Sequence, residues 1–306
     1  MDPIPTFRRV LRHPFTRLVL CLILAVALSF VLAWGMKLLR LPTDPFEVPG
    51  ALVASLRRAL AWGLALLLIG RWLEGRGPAQ LGLGSQGAAR DLGRGVLLGA
   101  GLMRAVVGVL ALAGWYRLVD GPPETAWDEA GDALVWAAIF TVAGFFEEVA
   151  FRGVTFRLLE EWLGSTAALV LSSAFFGLIH GANPHATWFA TLAIALEAGL
   201  LLGAAYMLTR SLWFVTGLHL AWNWTQGALF GVAVSGTSVE GLLESRLVGP
   251  ETWTGGDFGA EAGCVALLLC TAAGVLMAVY AARRGQWVPV MPRRRARQAQ
   301  SPAPAV

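Results

Sequence analysis

The chain has 306 residues, of which 56% are apolar and 14% charged, and its mean hydropathy is +0.62. An ordinary soluble domain is about half apolar and about a quarter charged, so composition excludes that class and points to a lipid bilayer as solvent. The formal charge of +4 and the pI near 9.4 do not argue for a nucleic-acid partner. The basic residues gather in tails and turns beside apolar runs, where anionic lipid accounts for them.

A helix needs about 20 mostly apolar residues to cross the hydrocarbon. In chain order the stretches that meet this need are roughly 18–36, 52–70, 96–116, 133–151, 166–182, 187–208, 211–232 and 260–281. They predict an all-α polytopic membrane bundle of about eight transmembrane helices with a polar catalytic cavity inside it. The first stretch contains "AVA" at 25–27, which resembles a signal-peptide cleavage site, but its apolar residues continue through Met36 and it is read as an uncleaved span. Arg57 and Arg58 interrupt the start of the second. Arg104 in the third must face protein or snorkel. Cys21, Cys264 and Cys270 fall in spans and have neither metal-ligand nor disulfide spacing. The stretch 82–95, "GLGSQGAARDLGRG", reads as a Gly-rich linker, since a phosphate-binding loop would need a strand before it.

Basic residues orient the spans. Arg8, Arg9, Arg12 and Arg17 lie near one terminus, and Arg283, Arg284, Arg293, Arg294, Arg295 and Arg297 near the other. Arg71, Arg76, Arg90 and Arg94 lie in the 71–95 loop. These predict two cytoplasmic termini. The 117–132 loop, with Asp120, Glu124, Asp128 and Asp132, is expected outside, as is 233–259. Lys37 is the sole lysine, which fits a GC-rich bacterial genome and so a bacterial inner membrane. The expected divisions are a basic tail (1–17), N-terminal helices and linkers (18–128), a catalytic core (129–235), an outer loop with the last span (236–282), and a basic disordered tail (283–306).

Polar residues inside spans are costly and mark function by default. In "FFEEVAFRG" (145–153), Glu148 and Arg152 are four apart, share a helix face and can pair. Glu147 points about 100° away. It is left without a partner, which suits a general base; the contrasting reading is a solvated helix end. His180 closes "FFGLIHG". If the turn between spans four and five lies near Leu163, Glu147 is 16 residues before it and His180 is 17 after it, at similar depth. In "GLHLAWNW", His219 and Asn223 share a face and can both donate hydrogen bonds; the contrasting reading is a structural bond between helices. Trp222 and Trp224 read as packing or interfacial aromatics. Glu197, in mid-span, is a functional candidate by default and is expected in a supporting or structural role; the contrasting reading is a pair with Arg104 or a histidine. Glu251, Asp257 and Glu261 in the outer loop read as solvated, and His13 and His185 as incidental.

A carboxylate and a histidine can deprotonate a water, and a histidine and an asparagine can stabilise an oxyanion. That inventory suits peptide hydrolysis without a covalent intermediate. Alternatively, Glu147, His180 and His219 could hold zinc as a His₂Glu set with an open position. No tight ligand cluster such as HEXXH is present.

"EEVAFRG", "FFGLIHG" and "GLHLAWN" resemble the EExxxR, FxxxH and HxxxN motifs of the CAAX-protease and bacteriocin-processing (CPBP, Rce1-like) intramembrane endopeptidases. The likeness covers about residues 130–235, and the segment at 249–263 resembles an extension seen in many bacterial members. The resemblance implies that Glu147 activates the water with His180 as its partner. It implies that His219 and Asn223 stabilise the oxyanion, and that Glu148 and Arg152 form a supporting ion pair. It also implies a glutamic mechanism with no cofactor, in preference to the zinc-dependent alternative. Arg210 stands where members often have glycine in a "TGSLW"-like turn. The expected partner is a membrane-anchored protein or peptide, with a prenylated C-terminus the less favoured version. The contrasting class is a non-catalytic membrane immunity or scaffold protein. A transporter is disfavoured by the lack of inverted repeats. The motifs give neither the substrate nor the oligomeric state.

Overall fold

In hydrocarbon, every backbone N–H and C=O must find its partner within its own segment, so apolar runs of this length become helices. The computed structural model describes residues 3–42, 44, 48–119 and 126–290. The short helix α1 (Pro3–Leu11) precedes α2 (Pro14–Leu38). Helix α3 (Val48–Ile69) runs on through a π turn at Gly70–Glu74 and is followed by α4 (Ala88–Leu112). Helix α5 (Ala126–Glu148) continues through a π segment, Val149–Phe156, into α6 (Arg157–Leu163). After α7 (Ser165–His180), helix α8 (Trp188–Ile194) passes through a π turn at Ala195–Gly199 into α9 (Leu200–Thr209). Helix α10 (Leu212–Trp224) ends in a π turn at Thr225–Leu229. The long loop after it holds α11 (Glu251–Thr254) and leads to α12 (Cys264–Arg283).

The protein is thus an all-α, multi-pass membrane bundle. Among the described residues six helices are long and apolar enough to span: Pro14–Leu38, Val48–Glu74, Ala88–Leu112, Gly131–Leu163, Trp188–Thr209 and Cys264–Arg283. The expectation of about eight spans divides here. Helix α7 has 16 residues, a rise of about 24 Å against about 30 Å of hydrocarbon, and α10 has 13 before its π turn. Both still run with the bundle, and they carry His180, His219 and Asn223. The stretch 82–95 is only partly a linker, because α4 begins at Ala88 after Gly87 in left-handed conformation (φ 79°). Among the described residues the one sheet is a ribbon in which β1 (Tyr116–Leu118) pairs antiparallel with β2 (Ser245–Leu247). Asp120, Glu124, the side chain of Asp128 and the tail arginines from Arg293 onward lie outside the described residues.

Backbone contact between α4 and α10 centres the bundle. A Cβ at Gly95 would overlap the Phe214 carbonyl, one at Gly99 the Leu218 carbonyl, and one at Gly217 the Leu92 carbonyl. Small residues allow helices to approach this closely in a membrane, where van der Waals packing must do what the hydrophobic effect does in water. Met103, Val106, Val107 and Leu110 then meet Val215, Leu218 and Trp222 in the core.

The two ends of the bundle are built differently. At one end Glu74 accepts from Arg157 (2.6 and 3.1 Å) and Arg76 (2.8 Å) and lies 3.3 Å from Arg17. Arg17 also bonds Glu161 (2.5 Å). Arg17 is therefore not part of a solvated tail: it is 4% exposed. Arg210 takes a left-handed backbone (φ 53°), a conformation glycine adopts without cost, which explains the glycine expected in that turn. Its guanidinium forks onto Glu160 (2.5 and 3.0 Å); burial lowers its pKa, but the bond and the charge of Glu160 together raise it. The opposite end is tied by neutral bonds: Trp224 Nε1–H donates to the Ala133 carbonyl (2.9 Å) and Tyr116 O–H to the Phe230 carbonyl (3.0 Å).

Candidate active site

The helix carrying the two glutamates changes winding immediately after them. All eight residues of the π segment Val149–Phe156 are buried. Glu148 and Arg152 pair as their spacing predicts, with Arg152 Nη1 donating to Glu148 Oε1 (2.9 Å). The same oxygen lies 2.8 Å from His219 Nδ1. Arg152 Nη2 reaches the carbonyls of Ala198 (3.2 Å) and Gly199 (3.4 Å), and its guanidinium lies 4.7 Å from the Phe176 ring centroid. One arginine therefore joins four elements: the π segment, α7, the π turn at 195–199 and, through Glu148, α10.

The turn between α6 and α7 falls at Gly164, and Glu147 Oε2 lies 3.9 Å from His180 Nε2. His219 Nε2 lies 3.8 Å from the same oxygen. The tautomers follow from the other ring nitrogens. His180 Nδ1 sits 2.8 Å from the Phe176 carbonyl, which only accepts, so Nδ1 carries a proton. His219 Nδ1 faces a carboxylate already paired with arginine, so it too is a donor. A neutral His180 ring then turns an Nε2 lone pair toward Glu147, and His219 Nε2 faces the same oxygen, as a donor when that ring is protonated. At these distances none of the three atoms bonds another directly, and Glu147 Oε2 is buried without a hydrogen-bond partner.

These groups lie at the inner end of a cleft of about 480 Å³. Trp136, Ile139 and Phe140 of α5 form one wall, Val234 and Val239 of the long loop another, and Asn223 is half-buried beside His219. A cavity of about 20 Å³, large enough for a single water, is lined by His180, His219 and Asn223 together with Glu197, Trp222 and Glu261.

Two residues beside the site carried little or no signal in the sequence. Glu261, expected to be solvated, is 3% exposed. It accepts from the Ser235 N–H (2.6 Å), Ser235 Oγ (2.8 Å) and Trp222 Nε1–H (3.4 Å). Burial pushes its carboxyl above the usual carboxylate range, against the pull of the Ser235 bonds and of nearby His180. Ser235 is held at φ 48°, so this carboxylate fixes a strained residue of the cleft wall. Its flanking Ala260 and Ala262, at the head of an apolar run, were the available clue. Arg58, seen in the sequence only as an interruption, lies 5.0 Å from the Phe146 ring centroid and interacts electrostatically with Glu147.

Glu197 is 1% exposed, but it pairs with neither Arg104 nor a histidine. Its Oε1 has no hydrogen-bond partner, its neighbours are Glu261 and Cys270, and Arg104 is exposed on α4. Trp222 packs as expected and is also a donor. His13 accepts from the Phe15 N–H at the start of α2 (3.3 Å).

Among the described residues no set of three His, Cys, Asp or Glu side chains is arranged to hold a metal ion. The donor chemistry of Glu147, His180 and His219 suits zinc. A tetrahedral ion with bonds near 2.0–2.1 Å wants its ligand atoms about 3.3 Å apart, so Glu147 Oε2 would have to close on each histidine by about half an ångström.

Fold and site together define a class: a polytopic helical membrane protein with a carboxylate–histidine centre buried in its bundle. Residues 129–225 match the family model described as type II CAAX prenyl endopeptidase Rce1-like. That segment, about a third of the chain, holds all three motifs. No curated protein and no solved structure matches the chain.

Proposed function

We propose that the protein is an intramembrane endopeptidase of the glutamic type, hydrolysing a peptide bond in a membrane-anchored protein or peptide. The observation that carries this reading is the convergence of Glu147 Oε2 and the Nε2 atoms of His180 and His219 at the inner end of a cleft. A water there is held by its two hydrogens, with its oxygen free to attack. Glu147 takes one proton as the water oxygen bonds the carbonyl carbon, and His180 orients the water through Nε2. His219, its Nδ1–H held by Glu148, enters the reaction as the imidazolium, with a second proton on Nε2. With the Asn223 amide it then donates to the oxyanion. Collapse breaks the C–N bond, and Glu147 returns its proton to the leaving nitrogen. Arg152 holds Glu148 in place through its Oε1 and so fixes the orientation of the His219 ring. Were zinc bound, the same three side chains would hold it, and it would supply Lewis-acid polarisation.

The test is a comparison of membrane-protein termini in cells carrying the wild type, Glu147→Gln or Glu147→Ala. Both variants should insert and fold, yet particular cleaved termini should fall by at least about 100-fold, the scale of lost general-base catalysis. If every terminus persists, the protein is a membrane scaffold or immunity partner. Activity that is lost on chelation and restored by zinc would replace the glutamic mechanism with the metal-dependent one.

A further inference from the structure

Among the described residues the cleft opens at one end of the bundle only. From Glu147 it follows α5 back to Asp132, 15 residues or about 22 Å, and comes out among Thr237, Ser238 and Glu240. In the other direction the way is sealed. Residues 149–156 are all buried, as are Arg157, Leu158 and Glu160, and beyond them lies the ion cluster around Glu74.

The two ends also differ in charge. The sealed end carries Arg71, Arg76, Arg90, Arg94, Arg283 and Arg284 beside its spans. At the open end Asp132, Glu240, Glu244, Glu251 and Asp257 outnumber Lys37, Arg40, Arg117 and Arg246. Lysine and arginine in short loops stay cytoplasmic, so the sealed end is the one retained.

We propose that the site takes its substrate from the extracytoplasmic side: a membrane-anchored polypeptide whose scissile segment has already crossed the bilayer. The word substrate rests on the endopeptidase reading; the direction of the opening does not. A C-terminus presented in the cytoplasm would meet the ion cluster and the buried π segment instead of Glu147.

The two parts are tested separately. With Cys264→Ala as background, since Cys21 and Cys270 are buried, single cysteines are placed at Ser238 in the mouth and at Ser85 near the sealed end, both exposed. Spheroplasts are treated with a membrane-impermeant maleimide before and after permeabilisation. Ser238→Cys should label fully in intact spheroplasts and Ser85→Cys at least about tenfold more after permeabilisation. The reverse pattern, or a mouth that labels only after permeabilisation, overturns the proposal. The termini lost in Glu147→Gln cells should then map to extracytoplasmic segments, and termini mapping to cytoplasmic segments overturn it as well. If labelling follows the proposal but no terminus changes, the endopeptidase reading falls and the sidedness stands.

Discussion

Glu148 shows how far a single residue's burial raises the stakes. It is fully buried, and a carboxylate in that position is tolerable only while its partners neutralise it. Arg152 supplies the countercharge, and both it and His219 donate to one oxygen, Oε1. Removing one partner of a buried pair costs about 3–5 kcal/mol, because the other charge is left uncompensated. Arg152→Met should therefore lower the thermal unfolding midpoint in detergent by a large margin and release the His219 ring. Arg152→Lys should recover only part of this, since an ammonium cannot fork between Glu148 and the carbonyls of Ala198 and Gly199. Equal midpoints for wild type and Arg152→Met would show that the pair contributes nothing to folding.

At the scale of elements, the site depends on where helices change winding. Of the four described π segments, three lie beside it: Val149–Phe156 follows Glu148, Ala195–Gly199 contains Glu197, and Thr225–Leu229 begins two residues after Asn223. A π turn shifts the faces on either side by about one residue and is common at functional positions. The other determinant is the α4–α10 contact, which positions α10 and with it His219. Gly99→Val would drive a side chain into the Leu218 backbone, one residue before His219. Overpacking of this kind costs about 1–3 kcal/mol, and cleavage per folded molecule should fall further as His219 moves from Glu147. Gly101→Ala is the control: nothing lies within 4 Å of a Cβ there, and alanine favours the helix by up to about 1 kcal/mol. Matched unfolding curves and cleavage rates for the two variants would separate the contact from helix propensity; similar losses in both would remove the contact as the cause.

On the scale of the whole molecule, the ends do different work. The sealed end is held by charge: Glu74, with its side chain 1% exposed, meets Arg17, Arg76 and Arg157. Glu74→Gln would leave these arginines facing one another beside a neutral amide. We expect a loss of about 3–5 kcal/mol in stability and an unchanged cleavage rate per folded molecule, because the cluster does not line the cleft. A variant that folds as well as wild type but cleaves poorly would instead tie this end to the chemistry. The open end is held by neutral hydrogen bonds and by Glu261, which anchors the loop on α10.

The sequence by itself determined the solvent, the helical class and the pairing of Glu148 with Arg152. Bilayer thickness sets a length that hydropathy reveals, and a separation of four residues is one helical turn whatever surrounds it. It also singled out Glu147, His180, His219 and Asn223 as the polar residues of the central spans. Arg17 and Glu261 show where such reading ends. A charge near a terminus or in a Gly-rich loop looks solvated until its partners arrive from elsewhere in the chain: Glu161 is 144 residues from Arg17, and Trp222 is 39 from Glu261. Only the tertiary structure decided that His219 bonds Glu148, that Glu197 lies near a second carboxylate rather than a cation, and that the cleft is closed at its arginine-rich end. Those outcomes follow from which helix faces meet and from the one-residue slips of the π segments, and no local pattern encodes either.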